Sequence, residues 1–183
     1  LLTFSTGHRD VTAPMGQLTD YNQLTQIWWI SDKEIRHGLA ARIVVLPATA
    51  AQQVKLYLEH LQALEQRTRF SAPSISERCQ RALSGADNLL FAIIIPPISE
   101  IKTVDLTPSL LDSLFSLHFS EKMPFARNWG RHHLRSQLKR LGVSPELIDG
   151  WMGHEEIGEE ALGRHSSLSL DSLGKIANKI EEI

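Results

Sequence analysis

The last third of the chain contains one stretch that constrains the fold more than any other, because it specifies two helices and their ends. Leucines recur at helical spacing over residues 128–141, and Gly142 follows in a position that suits a left-handed C-cap. Ser144 and Pro145 are typical of an N-cap and the first residue of a helix, and Gly153 would end that helix. The sequence therefore predicts two consecutive helices joined by a short turn.

Three side chains on this framework point to phosphate chemistry. His132 and Arg135 are three residues apart, so they share one side of the first helix, and His154 directly follows the end of the second. A guanidinium can hold a phosphate as a permanent cation, and an imidazole can move protons near neutral pH. This combination favours a site for a phosphodiester.

Charge is distributed unevenly along a chain whose net charge is −2. Residues 121–145 contain six Lys and Arg against one Glu, a net of +5, whereas residues 146–183 contain three against nine acids, a net of −6. The small overall charge argues against wholesale coating of nucleic acid. A local basic patch fits a polyanion held at one place, and a solvated helix face would have the same composition.

Composition narrows the class of protein further. The chain has 183 residues, 42% of them hydrophobic, which suffices for one domain with a buried core. Cys79 is the only cysteine, which excludes a disulfide framework and a thiolate zinc cluster. No apolar run approaches the roughly 18 to 20 residues that cross a bilayer. We therefore expect a cytoplasmic protein without a membrane partner.

The rest of the chain predicts strands first and helices later. Residues 27–30 and 41–46 are rich in Ile, Val and Trp, which favours two strands, and residues 31–39 would connect them. A further apolar run, residues 89–95, is predicted to be a buried strand because a pair of prolines stops it.

Helices are predicted in three further places. Apolar residues recur at helical spacing over residues 49–66, with Thr49 as a plausible N-cap, and over residues 170–183. Another helix is expected to start at residue 107, where a threonine precedes a proline. Residues 68–87 are polar and mixed, and predict a loop with one short helix.

Residues 132–154, which read HHLRSQLKRLGVSPELIDGWMGH, resemble the catalytic core of the tyrosine recombinases, the phage-integrase family. That family has His-x-x-Arg, a helix, Gly-Val, a second helix and Leu-Gly-His in this region, and here Met152 replaces the leucine. The tetrapeptide Thr6-Gly7-His8-Arg9 resembles the family's Thr-Gly-x-Arg.

The resemblance implies a fold. It is α+β and mainly helical, a recombinase-like catalytic domain over residues 1–183 with a small antiparallel β-sheet near the N-terminus. The family's separate N-terminal domain would lie outside this sequence.

The resemblance also implies a role for each site residue. Arg9 and Arg135 would hold the non-bridging oxygens of the scissile phosphate, and Lys33 would protonate the leaving 5′ oxygen. His132 would assist proton transfer at the nucleophile, and His154 would donate a hydrogen bond to the phosphate.

No cofactor or metal is implied, because the arginines supply the charge that a metal would. A zinc site built from the histidines lacks the two-His spacing of zinc proteases and any cysteine ligand.

The implied partner is double-stranded DNA, bound mainly through phosphate contacts, with a nucleoid location if the source is prokaryotic. The family acts as tetramers on DNA, often exchanging a C-terminal segment, for which residues 168–183 are the candidate. Five residues of the basic patch are expected to add DNA contacts: Arg127, Arg131, His133, Lys139 and Arg140.

The sequence does not supply the expected nucleophile. Family members have a tyrosine about nine residues after the Gly-His histidine, where this chain has Gly163, and His165 lies two residues later. The only tyrosines, Tyr21 and Tyr57, lie far upstream.

Three interpretations stay open. His165 could attack as an imidazole, Ser166 or Ser167 could serve, or the domain could bind DNA without cutting it. The resemblance implies site-specific recombination as the function, in integration, excision or transposition of a mobile element. The alternative is a non-catalytic DNA-binding or regulatory module of the same type.

Overall fold

The computed structural model describes residues 1–9, 15–32, 41–96, 100–118, 128–154 and 169–183. Within these ranges the chain is α+β and mainly helical, as the sequence predicts. The elements are α1 (Leu2–Thr6), a 3-10 helix (Leu18–Asp20), β1 (Tyr21–Asn22), β2 (Ile27–Ser31), β3 (Ala41–Val45), α2 (Ala48–Thr68), α3 (Pro73–Leu83), β4 (Phe91–Ile94), β5 (Lys102–Asp105), α4 (Pro108–His118), α5 (Trp129–Arg140), α6 (Pro145–Met152) and α7 (Leu170–Ile180).

The predicted small antiparallel sheet is confirmed near the N-terminus. Its strand order is β1-β2-β3, with Trp28 opposite Val44. Side chains alternate along β2, so Trp28 and Ile30 are buried while Trp29 is half exposed. The connection over residues 33–40, and with it Lys33, lies outside the described residues.

Helix α2 lies where the sequence predicts a helix, but its N-terminus differs from the prediction. The helix begins at Ala48, so Thr49 is inside it and the N-cap position belongs to Pro47, which has no side-chain acceptor. Glu181, from the end of α7, supplies the missing acceptor. Its Oε1 accepts from the Thr49 N–H at 2.7 Å, and its Oε2 accepts from the Thr49 hydroxyl at 2.6 Å. Sequence spacing could not show a cap that comes from so far along the chain.

The predicted buried strand at residues 89–95 is wrong in its burial. Only Phe91–Ile94 forms a strand, and it pairs with β5 in a two-stranded antiparallel sheet. Ile93, Ile94 and Ile95 expose 36%, 41% and 74% of their surface. A two-stranded sheet cannot cover both faces of its strands, so the run is exposed at its end, whereas Leu89 before the strand is fully buried. The segment 68–87 contains one helix as predicted, α3.

Helices α5, α6 and α7 pack against one another, and α6 and α7 also pack against β3. Leu134 and Leu138 of α5 and Leu173 of α7 are fully buried. Gly142 and Gly153 have φ of 76° and 62°, the left-handed conformation predicted for the two helix ends. Helix α7, in the segment predicted to exchange, packs here against its own chain.

No helix in the described ranges is both long and apolar enough to span a membrane. Helix α2 has 21 residues, but Gln52, Lys55 and Glu59 are exposed on its outer face. Its buried face, which includes Val54 and Leu58, contributes to the core.

We predict that Glu181→Ala lowers the free energy of unfolding by about 1 kcal/mol, because it removes the acceptor that caps α2. Glu182→Ala is the matched control. Glu182 accepts from Lys179 in an exposed i,i+3 ion pair, whose loss should cost less than about 0.5 kcal/mol. Urea denaturation of both variants measures the difference. Equal losses in the two variants would contradict the capping role.

Candidate functional site

Four arginines converge where the N-terminal turn, the sheet and the α5–α6 pair meet. We call Arg9, Arg42, Arg131 and Arg135 the arginine cluster. They come from the turn after α1, from β3 and from two turns of α5. Hydrogen bonds connect them through shared acceptors, of which Asp32 is one.

Arg131 lies in the buried part of the cluster. It is 7% exposed, and its guanidinium donates to the carbonyls of Gly7 and Met152 and contacts Nε2 of His154 at 2.8 Å. Burial, and then the neighbouring Arg9, lowers the pKa of Arg131 to about 10, so it stays charged at neutral pH. The structure therefore places Arg131 inside the cluster and not among exposed DNA contacts.

The sequence contained a signal for this burial. Arg131 precedes the two buried leucines of α5, Leu134 and Leu138, at spacings of three and seven residues. These spacings put all three side chains on one face of the helix. An arginine on an apolar face must find buried acceptors, because its charge is costly to bury unpaired.

Arg9 is held by Asp32 and by the end of α6. Its backbone N–H donates to Asp32 Oδ2 at 2.8 Å, and its Nη1 donates to Oδ1 at 3.2 Å. Its Nη2 reaches the carbonyls of Met152 and Gly153 at 3.4 and 3.3 Å. Burial opposes ionisation of Asp32, but Arg42 and Arg9 outweigh it, so the pKa of Asp32 lies below its usual value.

Arg42 completes the buried part of the cluster. Its Nη1 donates to Asp32 Oδ1 at 2.6 Å, and its Nη2 donates to the carbonyls of Thr6 and Gly7 at 3.1 and 3.2 Å. Sequence reasoning missed both Arg42 and Asp32. A charged residue within the apolar run of β3 was the available signal, because such a residue requires a buried partner.

Arg135 and His154 are in contact, as the motif spacing led us to expect. Arg135 Nη1 lies 2.6 Å from His154 Nδ1, and its Nη2 donates to Asp149 Oδ1 at 2.7 Å. Burial, and then Arg131 and Arg135, lowers the pKa of His154 to about 4. The imidazole is therefore neutral at pH 7.

A neutral imidazole between two guanidinium groups has too few acceptors. Nδ1 of His154 faces Arg135 and Nε2 faces Arg131. One ring nitrogen carries a hydrogen, so only the other can accept. One of the two contacts therefore brings two donors together. Asp149 Oδ1 accepts from Arg135 Nη2 but lies 3.7 Å from His154 Nδ1, too far for a hydrogen bond, so a further negatively charged oxygen beside the pair would satisfy both.

The remaining predicted residues on α5 lie around this contact. His132 is exposed, and its ring makes no hydrogen bond within the described part of the chain. His133 stacks on Trp129 with ring centroids 4.9 Å apart. Lys139 and Arg140 are exposed at the end of the helix. The predicted residues Lys33, Arg127, Gly163 and His165, and the alternative nucleophiles Ser166 and Ser167, lie outside the described residues.

Taken together, the described groups at the site carry four positive charges against Asp32 and Asp149. In the same ranges, no three His, Cys, Asp or Glu side chains converge to hold a metal ion. The arrangement suits an anion held by guanidinium and imidazole N–H groups. The chain matches no family model, no curated protein and no solved structure.

We predict that Gly7→Ala destabilises the protein more than Gly142→Ala. Both glycines have a positive φ, 61° and 76°, so both substitutions strain the backbone by about 1 kcal/mol. A Cβ on Gly7 would also lie 2.7 Å from Sδ of the buried Met152, whereas a Cβ on Gly142 has nothing within 4 Å. The overpacking should add about 1–3 kcal/mol to the loss in unfolding free energy, measured in urea. Equal losses would show that the turn at Gly7 is loosely packed.

We further predict that acid destabilises the protein through His8. Burial, reinforced by Arg42 and its fellow arginines and opposed by Asp32, lowers the pKa of His8 from 6.5 to about 4. Between pH 6.5 and 4, the His8 imidazole is thus protonated in the unfolded chain and neutral in the folded protein. The contribution of His8 to the unfolding free energy is fully present above pH 6.5. It is lost as the pH falls towards 4, and the loss is on the order of 3 kcal/mol.

Denaturation curves measured across this pH range test the prediction. The slope of unfolding free energy against pH should flatten in His8→Asn. His60→Asn, on the exposed face of α2, is the matched control for the same substitution at a histidine outside the core. A slope that His8→Asn leaves intact would exclude His8 as the cause.

Proposed function

We propose that this protein binds the phosphodiester backbone of double-stranded DNA at the arginine cluster. In this proposal it acts as a site-specific recombinase or integrase, in integration, excision or transposition of a mobile element. The observation that carries the proposal is the contact of His154 with Arg131 and Arg135, which leaves more donors than acceptors.

A phosphate oxygen matches that donor surplus. Placed beside His154, it would accept from the imidazole N–H and from Arg135 together. Arg9 lies across the end of α6 from them and would add a third donor. These side chains can meet a ligand from solution, because Arg9, His154 and Arg135 expose 20%, 36% and 46% of their side chains.

The exposed face of α5 carries further basic side chains that would lie along a bound duplex. His132 and Lys139 lie one turn from Arg135 on either side of it, and Arg140 follows. Neighbouring phosphates of a DNA strand would meet these side chains while one phosphate occupies the cluster. Such contacts position a duplex without reading its sequence.

The resemblance to tyrosine recombinases assigns chemistry to this placement. A nucleophile would attack the phosphorus and form a new bond to it, the 5′ oxygen would leave with a proton, and the extra negative charge would fall on the non-bridging oxygens. Arg9, Arg135 and His154 would stabilise that charge by donating to those oxygens.

One observation favours a second candidate function, DNA binding without cleavage. Neither tyrosine is placed for attack: Tyr21 stacks on Trp28 in the sheet, and the Tyr57 hydroxyl donates to the Leu89 carbonyl. Burial, and then Cys79, raises the pKa of Tyr57 to about 12, which disfavours a nucleophilic phenolate. Cleavage would need another nucleophile, of which His165 is the first candidate.

We predict that Arg135→Ala weakens binding of a 30-base-pair duplex by about tenfold and lowers the slope of log K against log salt by about 1. Arg81→Ala is the matched control, because Arg81 is similarly exposed and pairs with Asp87 at 2.6 Å, but lies on α3. Fluorescence anisotropy at several salt concentrations measures both. Equal losses in the two variants would contradict a specific site at the cluster.

A nicked suicide substrate separates the two candidate functions. A covalent protein–DNA adduct on a denaturing gel supports the recombinase, and its loss in His165→Ala identifies the nucleophile. Duplex binding without an adduct supports the non-cleaving module. Absence of duplex binding even at low salt would contradict both.

A further inference from the structure

Asp32 has an unusual environment for a carboxylate. It is fully buried at the end of β2, and it is the one buried carboxylate among the residues that the structure describes. Three N–H groups donate to it: the backbone N–H of Arg9, Nη1 of Arg9 and Nη1 of Arg42. One cation is enough to balance the charge of a buried carboxylate, but Asp32 contacts two, Arg9 and Arg42.

We propose that Asp32 is a positioning residue, which orients the Arg9 guanidinium for the phosphate while Arg42 holds the carboxylate in place. This inference rests on the proposed function, because it takes Arg9 as a phosphate ligand. Arg42 is the counter-cation in this arrangement and does not contact the ligand, because it is almost completely buried.

The hydrogen bonds of Arg9 show why a carboxylate is needed. Without Asp32, and counting contacts between described residues alone, the guanidinium keeps those of Nη2 with the carbonyls of Met152 and Gly153, at 3.4 and 3.3 Å. Two long contacts from one nitrogen do not fix the plane of the group. Asp32 adds a contact to the other nitrogen and also fixes the backbone N–H of Arg9, so both ends of the residue are held.

The distribution of charge also indicates that Asp32 keeps Arg9 in place. Burial first, and then Arg42, lowers the pKa of Arg9, and burial first, and then Arg9 and Arg42, lowers the pKa of Arg131, so the positive charges lie close enough to repel one another. Repulsion alone would turn the most exposed of them, Arg9, out towards solvent. The buried negative charge of Asp32 offsets this repulsion and keeps Arg9 at the site.

Asp149 provides an internal comparison. It accepts from Arg135 Nη2 at 2.7 Å, on the exposed side of the site. The site thus contains two separate carboxylate–arginine pairs, Asp32 with Arg9 and Asp149 with Arg135. If Asp32 positions Arg9 specifically, its loss should cancel the contribution of Arg9 and leave that of Arg135 intact.

Double-mutant cycles on duplex affinity test this directly. Arg9→Ala should weaken binding by about tenfold in the wild-type background and by less than about twofold in Asp32→Asn. Arg135→Ala should weaken binding by the same factor in both backgrounds. A merely structural role for Asp32 would leave the Arg9→Ala factor unchanged, and that result would overturn the proposal.

Asp32→Asn removes the negative charge beside the buried Arg42 and the partly buried Arg9, which can prevent folding. If it gives no cooperative melting transition, the cycle is run with Asp32→Glu. That variant keeps the charge beside Arg42 but moves the carboxylate by one methylene, so the Arg9→Ala factor should again shrink. An unchanged factor in this background would overturn the proposal as well.

A measurement without DNA separates this proposal from the proposed function. In free wild-type protein, the Nη hydrogens of Arg9 should give resolved NMR signals, because three acceptors restrict the guanidinium. The signals should average in Asp32→Glu, while those of Arg135 stay as they are. Averaged Arg9 signals in the wild type would refute the positioning role, even if DNA binds. Resolved signals in a protein that binds no duplex would refute the proposed function alone.

Discussion

Burying a guanidinium is unfavourable by several kcal/mol unless its N–H groups find acceptors, and this constraint shapes the whole site. Arg42 and Arg131 meet it with backbone carbonyls at the ends of two helices. The last residues of α1 and α6, Thr6 and Met152, each present a carbonyl that has no partner within the helix. A cation at a helix C-terminus is further favoured by the helix dipole.

The two left-handed glycines make this arrangement possible. Gly7 and Gly153 turn the chain sharply after α1 and α6, so the final carbonyls face the cluster and not solvent. Met152 occupies the space that a side chain on Gly7 would need. Arg131 joins the N-terminal turn to the end of α6, and Arg9, which follows the first turn, reaches the carbonyls of Met152 and Gly153 next to His154 in the chain.

Local pattern was enough to predict α5, α6 and the glycines that end them, because caps and helical spacing act over a few residues. It also led us to expect Arg135 beside His154. It could not show that Asp32 meets Arg42, since that contact depends on the register of β2 against β3. It misjudged residues 89–95 and Thr49 for a related reason, because burial and capping there depend on β5 and on Glu181.

In the proposed function, holding a phosphate and cutting it are separate tasks of the site. The proposed phosphate contacts come from the arginine cluster and His154, which lie within the described residues, and these contacts do not depend on the identity of any nucleophile. Cleavage requires in addition a group that neither Tyr21 nor Tyr57 supplies. We therefore expect the proposed DNA binding to persist when the residue at the nucleophile position changes, because the two proposed tasks involve different side chains.

The most direct test of the central claim is the pKa of His154, measured by NMR titration in the free protein and in a saturated complex with duplex DNA. The free protein should give about 4, because burial and then Arg131 and Arg135 disfavour the imidazolium. A phosphate beside the ring should raise the pKa clearly, because a nearby negative charge favours the charged form. A value that is the same with and without DNA would contradict binding of a phosphate at this site.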